Sequence, residues 1–188
     1  MAKKIAIFAS GGGSNAECII QHFADSDFAE VALILSNKAN AYVLERAKNH
    51  GIASVTVSRK EYKEPETILG ILQSHDIDFI VLAGFLWLIP SFLTTAYPDK
   101  IVNIHPAILP DYGGKGMYGK HVHQAVFDNN ERKSGITIHY VNENYDEGQI
   151  IFQDTVELEA SDTPNIIAAK VLALEHKHYA TTVASLLK

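Results

Sequence analysis

Five short apolar runs, each about one strand long and each followed by a stretch of helical or turn character, constrain this chain more than any other feature. They are "KIAIFAS", "EVALILS", "SVTVS", "DFIVLAG" and "KIVNIHP", the last ending at Pro106. Continuous apolar runs bounded by turn residues suit strands buried on both faces. After the first run, Ala16, Ile19, Ile20 and Phe23 fall on one helical face. "AYVLERAKNHG" reads as a second helix with Gly51 as its stop, and a third runs past Pro65 to about His75. "FLWLIPSFLTTAY" leads through a turn into a short fourth helix. This alternation predicts an α/β fold: an open, twisted, mostly parallel sheet with helices on both faces. "SGITIHYVNE" and "GQIIFQDTVEL", joined by "NYDEG", predict two last strands at one edge, in antiparallel sense. A helix around "HVHQAVFDNN" precedes them. A long helix closes the chain from Thr163, with Pro164 in its first turn and Ile166, Ile167, Lys170, Val171 and Leu174 as one stripe. No Pro-, Gly- or Ser-rich linker divides the chain, so residues 1–188 read as a single domain.

The formal net charge of −6 argues against a large nucleic-acid or membrane footprint, because such binders usually carry a basic excess. A single cysteine, Cys18, cannot form an internal disulfide and fits a reducing compartment. The N-terminal apolar run is too short to span a membrane and no cleavage pattern follows it. Cytoplasmic placement is the expectation.

In an open α/β sheet, ligands bind outside the carboxyl ends of the strands. Three segments fall there: Ser10 to Asn15, Gly84 to Ile89, and Asn103 to Pro106. "SGGGSN" gives a backbone that can approach a ligand closely, with helix N-terminal amides behind it. It is neither the dinucleotide pattern nor a P-loop. It fits a phosphate, or else a tight turn capped by Ser14 or Asn15. Asn103 and His105, two apart on a strand, point to one face. Asp146, in "NYDEG", belongs to the neighbouring edge. An amide, an imidazole and a carboxylate that raises the imidazole pKa are equipment for polarising a carbonyl and moving a proton. A capped strand end and a turn residue explain the same spacing, and spacing alone leaves both readings open. Trp87 is either a core anchor or a ligand platform. The His-x-His pairs His121/His123 and His176/His178 do not share a helical face, so no metal is expected.

"SGGGSN", "LSNKANAYVLERAKNHGI", "VLAGFLWLI", "VNIHPAILPDY", "SGITIHYVNENYDEGQII" and "LEHKHY" appear in order. Together they resemble the phosphoribosylglycinamide formyltransferase family, over nearly the whole chain. The resemblance implies a Rossmann-like formyltransferase fold. It implies transfer of a formyl group from 10-formyltetrahydrofolate, as cosubstrate and without a metal, to the amine of glycinamide ribonucleotide in purine synthesis. It implies Asn103, His105 and Asp146 as the catalytic set, with His139 in support. Gly12, Gly13, Ser14, Asn15 and Glu175 would bind the ribonucleotide. Arg59, Leu86, Trp87, Leu88, Ile89, Val141, Asn142 and Glu143, with Asn103, would bind the folate. The protein would be a monomer or homodimer, with small molecules as its partners.

The chain departs from the family in three places. "DYGGKGMYGKHVH" is longer than the family's corresponding loop, Trp87 stands where an Arg is frequent, and the chain ends early, at Lys188. A sister formyltransferase acting on tRNA would carry a further basic domain, and a formyltetrahydrofolate hydrolase a further regulatory one. A nucleotide-binding module using only the glycine loop would have no use for Asn103, His105 and Asp146 together.

Overall fold

The computed structural model describes residues 2–188. Seven strands form one sheet: β1 (Lys3–Ala9), β2 (Ala29–Ser36), β3 (Ala53–Thr56), β4 (Phe79–Leu82), β5 (Ile101–His105), β6 (Lys133–Tyr140) and β7 (Ile150–Glu157). Their spatial order is β3-β2-β1-β4-β5-β6-β7. The first five pair in parallel, and β5-β6 and β6-β7 pair antiparallel, as expected for strands added at one edge. Chain order reverses between β1 and β4, which opens a crevice at their carboxyl ends.

Alternation along each strand divides the core into two layers. Ile5, Ile7 and Ala9 of β1 pack on one face with Val81, Val102 and Ile104. Ala6 and Phe8 pack on the other with Leu33, Leu35, Ile80 and Ile101. The first layer is closed by α1 (Ser14–Phe23), α2 (Tyr42–Asn49), α5 (Lys120–Asp128) and α6 (Pro164–Leu187). The second is closed by α3 (Pro65–Ser74) and α4 (Ser91–Ala96). Tyr179 of α6 is fully buried, and its hydroxyl donates to the Leu82 carbonyl at 2.8 Å. One phenol thus ties the closing helix to the end of β4, beside the crevice.

The helix signals hold where backbone chemistry sets them. Pro65 and Pro164 occupy first turns, and the Thr163 hydroxyl accepts from the Ile166 amide. Gly51, at φ 67, takes the left-handed turn that ends α2. Two details differ from the sequence reading. Ile166 is 43% exposed, so the buried stripe of α6 runs through Ile167, Val171, Tyr179, Ala180 and Val183 instead. Neither Ser14 nor Asn15 caps α1; Gly13 holds that position at φ 70 without a side-chain hydrogen bond.

Candidate active site

A cleft of about 870 Å³ opens at the carboxyl ends of the parallel strands. Asn103 and His105 reach it from the end of β5. Antiparallel pairing sets His139 of β6 directly across from Asn103. Asp146 arrives from the β6–β7 loop at φ 58, a conformation an aspartate tolerates better than most residues. Gly148 makes that approach possible, since a Cβ there would collide with the Tyr140 carbonyl. The Asp-x-Gly pattern is therefore a backbone requirement as well as a chemical one.

The four side chains meet around the carboxylate. Asp146 Oδ2 lies 3.4 Å from His105 Nδ1 and accepts the Gly114 amide at 3.0 Å. Its Oδ1 lies 3.6 Å from His139 Nε2 and 3.5 Å from Asn103 Nδ2. The other nitrogen of His105, Nε2, donates to the Tyr112 carbonyl at 2.8 Å. His139 Nδ1 donates to the Tyr140 carbonyl at 2.8 Å, which leaves Nε2 to accept the Asn103 amide at 3.2 Å. Behind His105, the buried Thr137 hydroxyl donates to the Ala107 carbonyl and accepts from the Leu109 amide, so the chain leaves β5 in one fixed path.

Burial is the largest influence on His105, which is 3% exposed, and it lowers the imidazole pKa below its ordinary 6.5. The Asp146 charge and the Tyr112 carbonyl pull the other way without overcoming it. This corrects the expectation that the carboxylate would raise the pKa, because desolvation disfavours the charged form. Burial pushes Asp146 up. The His139 and His105 imidazoles, which favour the carboxylate when they carry a proton, and the Gly114 amide outweigh it and hold the carboxyl below the usual range. At rest the pair is therefore a neutral imidazole facing a carboxylate. A proton arriving at Nδ1 would be shared with Asp146.

The apolar side of the cleft is formed by Leu82, Leu86, Leu88, Ile89, Val141 and Trp87. Trp87 is both anchor and wall: it packs on Tyr62 and Phe85 and borders the cleft. Arg59 lies over its ring at 5.4 Å, outside the lining. Across the cleft, Asn15 donates to Glu175 at 2.6 Å, and burial lifts the Glu175 carboxyl to about 7 despite that bond.

The glycine loop enters chiefly through its ends. Ser10, Gly11 and Asn15 line the cleft, whereas Gly12, Gly13 and Ser14 do not. Those three shape the turn into α1: the Gly12 carbonyl accepts Arg46 Nε at 2.8 Å, and the Gly13 carbonyl accepts the Glu17 amide at 2.9 Å. Asn142 and Glu143 also stand outside the lining; Asn142 turns its oxygen to the Asn144 amide. Several lining residues were missed in the sequence: Lys38, Lys115, Tyr118, Lys120, His123, Tyr145 and Leu172. Lys38 was detectable, since it follows β2 at the same end of the sheet. Tyr145 was detectable too, beside Asp146; the others required the path of the long loop or the facing of α5 and α6.

Fold and site together define an open-sheet α/β protein whose ionisable groups gather at the carboxyl ends of its strands. The formyl transferase family model matches residues 3–183, and the chain belongs to that family. It is 44% identical to the chloroplastic phosphoribosylglycinamide formyltransferase of Arabidopsis thaliana, over 98% of this chain and 65% of that protein's length. It is 37% identical to the phosphoribosylglycinamide formyltransferase of Bacillus subtilis, over 98% of this chain and 95% of the relative. The solved structure of phosphoribosylglycinamide formyltransferase from Bacillus halodurans superposes with a TM-score of 0.89 at 40% identity, covering 99% and 96% of the two chains. The chain spans about two thirds of the length of the plant relative. No helix among the described residues is long and apolar enough to cross a membrane, and no group of three or more His, Cys, Asp or Glu is placed to hold a metal ion.

Proposed function

We propose that the protein transfers a formyl group from 10-formyltetrahydrofolate to the amine of glycinamide ribonucleotide, a step of purine synthesis. The observation that carries this reading is the convergence of Asn103, His105 and Asp146 between an apolar wall and a polar, helix-borne wall. A flat heteroaromatic ring fits against Leu86, Trp87, Leu88, Ile89 and Val141, and Arg59, stacked on Trp87, suits an acidic tail. Glu175 and Asn15 suit sugar hydroxyls, and the end of the glycine loop suits a phosphate near the α1 N-terminus.

In this reading the amine attacks the formyl carbon. A carbon–nitrogen bond forms, and the carbonyl oxygen becomes an oxyanion. Asn103 donates to that oxygen, stabilising charge that exists only along the reaction path. Neutral His105 takes the proton the amine must lose, and Asp146 stabilises the imidazolium. The tetrahedral centre then collapses, the bond to the folate nitrogen breaks, and that nitrogen recovers a proton from the His105–Asp146 pair. Protons and charge balance over the cycle. A neutral resting imidazole suits this order of events, since a group already charged could not accept the first proton.

The test is a formyl-transfer assay with glycinamide ribonucleotide set against release of formate in water. Transfer with little hydrolysis supports the reading. Hydrolysis without transfer, or formylation of another amine in preference, would replace it.

A further inference from the structure

His123 sits in the first turn of α5 and lines the cleft, yet the catalytic set above leaves it without a task. It is 8% exposed, and its Nδ1 is buried with no hydrogen-bond partner. A buried orphan donor is tolerated less well than a buried orphan acceptor. The proton therefore belongs on Nε2, so the imidazole offers a single N–H donor. Burial and the neighbouring His105 both hold its pKa below the ordinary value, so the ring is uncharged at neutral pH. No side chain among the described residues takes that donor. α6 packs against both α5 and α1, so His123 shares the helical wall of the cleft with Glu175 and Asn15 rather than the apolar wall.

We infer that His123 is a substrate-contacting residue, whose Nε2–H donates to the carboxamide oxygen of the amine substrate and so fixes the amine relative to His105. The inference rests on the function proposed above. It follows from position: the donor lies beside the proton-accepting imidazole, on the wall that would carry the ribonucleotide and not the folate. A neutral donor is suited to an amide oxygen, because it aligns the group without placing a second positive charge beside His105.

The experiment compares wild type, His123→Phe and His123→Gln in steady-state formyl transfer, varying each substrate in turn, with a thermal melt of each variant. Phe fills the ring volume and removes the donor; Gln restores an amide donor at similar reach. The expected result is a loss of about tenfold in kcat/KM for glycinamide ribonucleotide with Phe, the effect of one hydrogen bond left unmade. KM for the formyl donor should stay within about twofold, and Gln should recover most of the loss. Equal losses toward both substrates, a fully active Phe variant, or a Phe and Gln pair equally impaired would each overturn the inference while leaving the formyl-transfer reading intact. A wild type that does not formylate this amine would overturn both.

Discussion

Two glycine-rich segments border the same cleft and differ in what surrounds their positive-φ glycines. In the Ser10–Asn15 loop the backbone is pinned. The Ser10 amide bonds the Gly84 carbonyl, the Gly11 carbonyl takes the Val43 amide, and the Gly12 carbonyl takes Arg46. A Cβ on Gly13 would stand 2.5 Å from a Val43 methyl, at a φ of 70. In the loop that precedes α5, Gly114, Gly116 and Gly119 also have positive φ, but nothing lies within 4 Å of a Cβ built on any of them. The first loop needs glycine for close packing. The second needs these three for the path of the chain alone, while its Gly113, where a Cβ would stand 2.5 Å from a Leu109 methyl, is closely packed too. Its ties run to two side chains of the candidate site: the Tyr112 carbonyl to His105 and the Gly114 amide to Asp146. The first loop is held by its own neighbours, whereas the second is tied directly to side chains of the candidate site.

The largest expected effect comes from cutting the tie between the open loop and the site. Asp146→Asn removes the carboxylate that holds both Gly114 and His105. Turnover should fall by about 100- to 1000-fold, the range for losing one electrostatic partner of the transition state. Combined with His105→Ala, it should be little worse than the poorer single variant, because residues acting as a unit are non-additive. The His105 titration, followed by NMR, should lie below 6.5 in wild type and fall further in Asp146→Asn, since the opposing charge is gone. Proteolytic nicking between Gly113 and Lys120 should quicken in this variant and slow in wild type when glycinamide ribonucleotide is added. Nicking that ignores both changes would show that the open loop does not close.

Next in size is the carboxyl that holds the end of the pinned loop. Burial pushes the carboxyl of Glu175, which accepts from Asn15, up to about 7 from its ordinary 4.5. An acid with a raised folded pKa favours the folded state while protonated. Its contribution is full below about 4.5, is lost as pH rises through 7, and is at most about 3 kcal/mol. Buried neutral His105 and His123 act in the opposite sense, losing stability as pH falls below 6.5. The difference between wild type and Glu175→Gln isolates the carboxyl. The melting temperature of wild type relative to Gln should decline between pH 4.5 and 7. A difference that does not vary with pH would mean that the carboxyl titrates normally.

Third, the two kinds of glycine should respond differently to one added methyl. Gly13→Ala meets both the strained φ and the Val43 methyl, and should cost about 2–3 kcal/mol by denaturant melt, with a raised KM for the ribonucleotide. Gly116→Ala meets only the φ of 93 in open space, and should cost about 1 kcal/mol. Equal costs would erase the distinction.

What was legible in the sequence follows from local physics. The strand–helix alternation, the edge pair and the proline-marked helix starts rest on periodicity and backbone chemistry, and each stands where the residues placed it. Asn103 and His105 were readable because a strand puts positions two apart on one face. His139 came only through family likeness, since its approach to Asn103 is set by β5–β6 register across 36 positions of chain. Three things depended on packing and were not readable. Burial of His105 reverses the pKa shift that its carboxylate neighbour suggested. Ile166 turns to solvent because the helix settles on Ile167 and Val171. The Nδ1 of His123 is sealed without a hydrogen-bond partner, which no spacing could show.

The smallest effect tests whether the pinned loop is held from behind. Arg46 spans three groups at once: its Nε donates to the Gly12 carbonyl, Nη1 pairs with Glu17 Oε2 at 2.9 Å, and the guanidinium lies 5.1 Å from the centre of the Tyr42 ring. His50 completes the set on the other oxygen of Glu17 at 2.7 Å. The ion pair lies near the surface and contributes little by itself. The bond to Gly12 matters more, because fixing a loop carbonyl away from the cleft leaves neighbouring amides free to face it. Arg46→Met keeps the stem against Tyr42 and removes the charge and the donors. KM for glycinamide ribonucleotide should rise by about three- to fivefold, the effect of one modest hydrogen bond, with kcat and KM for the folate unchanged. Arg46→Lys restores the charge but not the planar fork that reaches Gly12 and Glu17 together, so it should recover little. If Lys restores full affinity, the charge alone was acting, and the glycine loop holds its shape without the bond.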